Sequence, residues 1–248
     1  MPGYHTKKTQ VAIAGTSGLL MQTLLDHQQF DDPHGEAERL GISSATWPLF
    51  GLLWPSGAQL AARLAARPVQ AGERILEIGC GLALASLVAH RLGANVTASD
   101  CHPLAGLFLA DNLRLNGLPP MPYFHGHWGV GGTEGDLPCS AATGQYDLIV
   151  GSDVLYERDV NADLARFIAL HASPWAQIWI VDPDRGNRPA FNRHMAALGF
   201  VMHEERIDQP ASDAAAAYKG RLLVYSRQPH AIDAQQAPVT CQLLRDAT

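Results

Sequence analysis

Three acids at the ends of apolar runs could do chemistry in this 248-residue sequence. The first sits in ILEIGCGLALASLVAH, residues 75–90, where Glu77 precedes Gly79 and Gly81 and a helical pattern follows. A G-x-G-x-x-G turn lays a pyrophosphate on a helix N-terminus, and its third glycine lets that helix pack closely. Here Leu84 takes the third glycine's place and no Gly-Lys-Ser/Thr follows. An acid two residues before the first glycine opposes a pyrophosphate and suits a cationic group such as an amino-acid ammonium. The second acid, Asp100, comes 21 residues after Gly79, where an acid accepts hydrogen bonds from ribose hydroxyls. The third, Asp153, lies in VGSDVLYE, residues 150–157, just ahead of Tyr156. His125 and His127 alternate along an extended segment with no third ligand nearby, so no metal site is expected.

The elements that must hold these acids alternate between strand and helix. A helix over 56–68 stops at Pro68, and a strand over 74–78 leads to a helix over 82–92 closed by Gly93. A strand over 95–100 precedes a helix over 103–115, with Pro103 in its first turn and Asn116-Gly117 at its end. A short strand near 122–125, a glycine-rich loop over 129–144, a strand over 146–152 and a helix over 160–171 follow. A strand over 177–182 and a helix over 189–198 come next. Strands over 200–207 and 221–226 have no helix between them, which predicts an antiparallel pair. The pattern is a βα unit repeated five times and then ββ: a doubly wound, Rossmann-like α/β fold with its ligand at the carboxyl ends of the strands. Residues 1–55 read as an N-terminal extension with a short hairpin near 10–22, and the tail from 228 onward reads as flexible.

Composition narrows the classes. Hydrophobic residues make up 47% and charged residues 17% of the chain, a globular balance. A net charge of −6 speaks against a broad nucleic-acid footprint. The four cysteines, at 80, 101, 139 and 241, form no C-x-x-C pair, which fits reduced thiols in a cytoplasm better than a disulfide framework. No apolar run approaches the ~20 residues that span a bilayer. The N-terminus lacks the apolar core of a signal peptide. The expectation is a cytoplasmic protein with neither membrane nor nucleic acid as partner.

A nucleoside with a cationic amino-acid tail and no phosphate describes S-adenosylmethionine. At EIGCGLA the sequence resembles the first motif of the class I, seven-strand methyltransferases, E/D-x-G-x-G-x-G, with Ala83 in place of the last glycine. Alanine also lacks bulk, so this departure is read as mild. The resemblance runs from residue 47 to about 226. It implies a three-layer αβα methyltransferase domain over 56–227, with a seven-stranded, mostly parallel sheet whose last strand is inserted antiparallel. Within that class, Asp153 and Tyr156 resemble the Asp-x-x-Tyr motif of the protein-lysine methyltransferases. WPLFGLLWPSG resembles the Trp-Pro-Gly-Gly-type segment before their first motif, with Ser56 replacing one glycine. HWGV resembles their tryptophan–glycine pair, and VDPDRGN the segment after their fifth strand.

The resemblance implies S-adenosyl-L-methionine as cofactor, held by Trp54, Glu77, Gly79, Gly81, Asp100, Cys101, Trp128 and Ser152. Asp153 and Tyr156 would serve the acceptor, with Asp182 and Arg185 rimming the pocket. The leading acceptor is a protein lysine; a small molecule or another protein side chain is the alternative, and a non-catalytic nucleotide-binding protein the second. Charge leaves sulfur and develops on the acceptor nitrogen, so a carboxylate beside that nitrogen stabilises the transition state selectively. The same carboxylate favours the unreactive ammonium. Asp153 is therefore expected to dock and orient the amine rather than act as a strong base, and Tyr156 to add an aromatic or hydroxyl wall. Alternative roles are a helix N-cap for Asp153, an ordinary ion pair between Asp182 and Arg185, and core packing for Trp128, Cys80 and Cys101. Trp47 and Trp54 could fill the gap between extension and sheet, and substrate selectivity is expected to reside in the extension.

Overall fold

Seven apolar runs separated by turns become the strands of the main sheet. The computed structural model describes residues 4–29, 32, 34–128, 145–158, 161–211 and 216–227. The expected glycine-rich loop and the C-terminal tail lie outside them. The chain opens with a hairpin, β1 (Thr6–Ile13) and β2 (Thr16–Leu24), wider than the 10–22 expected. One helical turn, α1 (Glu36–Arg39), and a 3-10 helix over Trp47–Gly51 follow where only irregular chain was read. Next come α2 (Pro55–Ala66), β3 (Arg74–Ile78), α3 (Leu84–Arg91), β4 (Asn95–Asp100), α4 (Ala105–Leu115), β5 (Tyr123–His125) and β6 (Tyr146–Ser152). The chain closes with α5 (Asp163–His171), β7 (Ala172–Asp182), α6 (Arg188–Ala197), β8 (Phe200–Gln209) and β9 (Tyr218–Arg227).

Strands β3, β4 and β6 keep the bounds read from sequence. Strand β7 begins five residues early, because α5 passes into it with no loop. Pro174 favours that outcome, since a residue before proline is biased to extended backbone. Helices α3 and α4 start two residues late, a consequence of the turns described below.

The sheet order is β5-β4-β3-β6-β7-β9-β8. All pairings are parallel except those of β9, which runs antiparallel to both β7 and β8. Successive residues of a strand face opposite layers. Thus Leu148 and Val150 join the core under α2, α3 and α4, while Ile149 joins the core under α5 and α6. The result is the expected αβα sandwich. Its order reverses between β3 and β6, which opens a crevice beyond their carboxyl ends.

The hairpin packs on this body through backbone-like bonds from side chains. Asn116 accepts from Leu20 N–H and donates to Leu20 C=O, both at 2.9 Å; Asn112 accepts from Gln22 N–H at 2.7 Å. The two asparagines, Asn112 on α4 and Asn116 at its C-cap, thereby pair the exposed edge of β2. Leu19, Met21 and Leu24 are fully buried in the same core as Phe108 of α4.

Candidate active site

The turn after β3 is a run of alternating left-handed residues: Gly79 (φ 57°), Gly81 (φ 52°) and Ala83 (φ 57°). The glycines are needed for space as well. A Cβ on Gly79 would lie 2.9 Å from Val154 Cγ1 and 3.3 Å from the Trp128 ring, and one on Gly81 would lie 2.9 Å from the Phe50 carbonyl oxygen. Ala83, the N-cap of α3, corrects the reading of its substitution as mild. Its cost is conformational, about 1–2 kcal/mol for an L-residue held left-handed. Replacement by glycine relieves that strain but adds about 0.4–1 kcal/mol of unfolded-state entropy. Ala83 is fully buried and its methyl contributes about 0.8 kcal/mol, so Ala83→Gly should change stability by less than about 1 kcal/mol, within roughly 2–4 °C in a thermal melt. A larger fall in melting temperature would show the strain to be relaxed already.

Two buried acids stitch this turn to the sheet. Glu77 Oε2 accepts the Ser86 N–H at 2.8 Å, satisfying one of the open donors in the first turn of α3. Asp100 accepts the Gly81 N–H through Oδ2 and the His102 N–H through Oδ1, both at 2.8 Å. Burial pushes the Glu77 carboxyl up to about 7 against the pull of the Ser86 hydrogen bond, with Asp100 adding repulsion. Burial also raises Asp100, opposed by its backbone amide partners.

A raised carboxyl stabilises the fold below its unfolded value near 4.5, and that contribution is lost as pH rises through about 7. His102 has the opposite sign: burial pushes its imidazole down to about 3, so protonation of the unfolded chain below 6.5 weakens the fold. Comparison with Glu77→Gln isolates the acid. The variant should gain stability relative to the native protein, on the order of 1–3 kcal/mol between pH 5 and 8. A stability difference independent of pH, measured by denaturant titration, would contradict this.

At the end of β6, Asp153 adopts φ 56° and donates its N–H to the Val181 carbonyl at 2.8 Å. It caps no helix, for α5 begins at Asp163 behind Ala162. Its carboxylate instead receives Arg185 side-on, Nε at 2.8 Å and Nη2 at 2.9 Å. This corrects the Asp182–Arg185 ion pair: among the described residues the Asp182 carboxylate accepts only the Arg185 backbone N–H, at 2.9 Å. Asp182 is fully buried, and burial pushes its carboxyl up to about 6. Arg185 borders the pocket, whereas Asp182 lies behind the rim.

A pocket of about 730 Å³ joins these ends, and every residue expected to bind cofactor or acceptor borders it. The Trp54 indole donates to the Leu49 carbonyl at 2.9 Å. Trp128 is half-buried beside Gly79, and its Nε1 has no partner among the described residues. Trp47 is a core residue, stacked on Tyr4 at 5.1 Å and edge-on to His102 at 4.9 Å. Cys101 is pushed up to about 12 by burial, with Asp100 adding repulsion, so it stays a thiol. Ser152 Oγ faces Gly57 near the start of α2. Tyr156 is 43% exposed at the mouth.

Two contributors escaped the sequence reading. His102 stacks on Phe50 at 3.7 Å and lines the floor; its place directly after the Asp100 strand end was the available signal. The wall from Leu40 to Thr46 has no periodicity to reveal it, whereas Leu49 to Leu53 belong to the WPLFGLLWPSG segment already singled out.

No protein-family model matches the chain. It is 32% identical over 162 residues to the electron transfer flavoprotein beta subunit lysine methyltransferase of Rattus norvegicus, covering 63% of this chain and 58% of that protein. It therefore spans less than two thirds of that relative's length. It is 30% identical over 132 residues to the histone-arginine methyltransferase METTL23 of Homo sapiens, covering 51% of this chain and 67% of that one. Its fold is similar to a Thermus thermophilus 16S rRNA methyltransferase, RsmC, solved with AdoMet and guanosine, with a TM-score of 0.55 at 17% identity over 92% of this chain and 52% of that one. Relatives and sheet order agree: the chain belongs to the class I, seven-strand methyltransferases.

Proposed function

We propose that this protein methylates a lysine side chain of another protein, using S-adenosyl-L-methionine. The observation that carries this reading is the single pocket in which the Gly79–Gly81 cradle and Asp100 open onto Asp153 and Tyr156. Bound there, the cofactor supplies an activated methyl group on a sulfonium centre. The residues fit it. The glycines let the turn pass close against Val154 and Phe50, where any Cβ would clash, while Asp100 offers carboxylate oxygens at the end of β4 and Trp128 brings an aromatic face and an N–H with no partner among the described residues. Asp153 would hold the acceptor amine by hydrogen bond and charge, and Tyr156 would flank it; positioning of this kind can supply several kcal/mol of barrier reduction. The wall formed by residues 40–54 of the extension would select among acceptor proteins, since it borders the same pocket.

The test is transfer of a radiolabelled methyl group from S-adenosylmethionine into an extract of the source organism, with protein and small-molecule fractions counted separately. Label in a discrete protein band, recovered as methyl-lysine after hydrolysis, supports the proposal. Label confined to small molecules overturns it and assigns Asp153 to a metabolite amine. A thermal shift with S-adenosylhomocysteine but none with NAD is expected in either case.

A further inference from the structure

The turn after β7 carries a positive charge to the one carboxylate assigned to the acceptor. Asp153 and Arg185 stand at the ends of adjacent strands, and both are anchored through their backbones: Asp153 N–H to the Val181 carbonyl at 2.8 Å, Arg185 N–H to Asp182 Oδ2 at 2.9 Å. Their side chains meet in a two-bond fork of 2.8 and 2.9 Å. Asp153 is 9% exposed in that pair and Arg185 40%, and both border the pocket. A carboxylate that docks a lysine ammonium also holds its proton and so delays attack. The fork removes that conflict without removing the acceptor's partner, because a carboxylate offers about four lone-pair sites and Arg185 takes two.

Resting on the lysine-methylation reading, we infer that Arg185 is a positioning residue that offsets the Asp153 charge, so that the docked amine sheds its proton near neutral pH. The step is a simple loss of one proton from the acceptor nitrogen to solvent; no other bond changes. Other charged or titratable groups surround the pair. Asp182 and Asp184 sit in the turn, Arg188 on α6 and Tyr218 on β9, while Tyr156, Glu157 and Arg158 follow Asp153 and Cys101 and His127 share the pocket wall. Asp182 titrates at about 6, and burial pushes Tyr156, Tyr218 and Cys101 up. A window from pH 7 to 9.5 therefore lies above the first and below the others; Glu77, raised to about 7, titrates at its lower edge in native protein and variant alike, so the difference between their profiles reports Arg185.

The experiment is single-turnover methyl labelling of extract protein across that window, with cofactor-loaded enzyme at a concentration where doubling it no longer speeds labelling. Under that condition the rate reports the bound complex. Arg185→Gln should move the midpoint of the rate profile upward by about one to three pH units, with the rate recovering at the alkaline end. Arg185→Lys should return the profile toward the native one. Thermal shifts with S-adenosylhomocysteine at each pH check that the variants fold. If Arg185→Gln melts below the assay temperature, Arg185→Met carries the same expectation. Superimposed profiles, or an equal loss at every pH with cofactor binding intact, would overturn the inference alone. Absence of protein labelling by the native enzyme at any pH would overturn the lysine reading, and the inference with it.

Discussion

Replacing Asp153 by alanine should leave S-adenosylhomocysteine affinity within a few-fold and lower turnover by about 10²-fold or more. The carboxylate borders the same pocket as the Gly79–Gly81 cradle but is bonded to Arg185 rather than to the cradle. Its loss removes the acceptor's docking partner. It also leaves the Arg185 guanidinium facing the pocket with no counter-charge, which repels a cationic acceptor. Alanine at φ 56° adds backbone strain of about 1–2 kcal/mol. Asp153→Asn is the control, because asparagine tolerates the left-handed conformation while lacking the charge. The two variants should differ in melting temperature but share the loss of turnover. Calorimetric titration and single-turnover rates measured on the same preparations would decide it. Native turnover in either variant would sink the docking role.

The second large effect concerns Asp100. Its two oxygens accept from Gly81 N–H and His102 N–H, each at 2.8 Å, in a site where Asp100 is 7% exposed. Alanine would orphan both donors, and a buried unsatisfied amide costs about 1–3 kcal/mol. Relief of the buried charge returns part of this, since burial is what raises the Asp100 carboxyl. A net loss of about 2 kcal/mol or more follows, roughly 4–8 °C of melting temperature. The Gly81 turn is what Asp100 holds in place, so cofactor affinity should fall by about tenfold or more, even with the protein still folded at 20 °C. Asp100→Asn keeps one acceptor and should fall between. Unchanged cofactor affinity in Asp100→Ala would show that the turn holds its shape without the acid.

Much of this architecture can be read locally. The runs RILEI, NVTASD and YDLIVGS become strands at the expected residues because apolar composition and flanking turns act over five to seven positions. The pair of glycines after Glu77 likewise marks a left-handed turn that few other residues could make. The mostly parallel sheet followed from the alternation of elements, and its antiparallel last strand from the family resemblance. Helix starts were less legible: at 82–84 the same turn that marks the site delays the helix, through an alanine whose conformation no spacing rule announces.

The sequence by itself determined the sheet, the cradle and the three acids at strand ends, because backbone preference and hydrophobic period are properties of neighbouring residues. Only the tertiary structure decided what those acids touch. Asp153 meets Arg185 across 32 positions of chain because β6 and β7 end side by side. The pocket wall over residues 40–54 arises because the extension packs on the body through asparagines 90 or more positions away, on α4 and at its C-cap. Charge pairing and burial depend on distance in space, and a carboxylate carries no local mark of the cation that will face it.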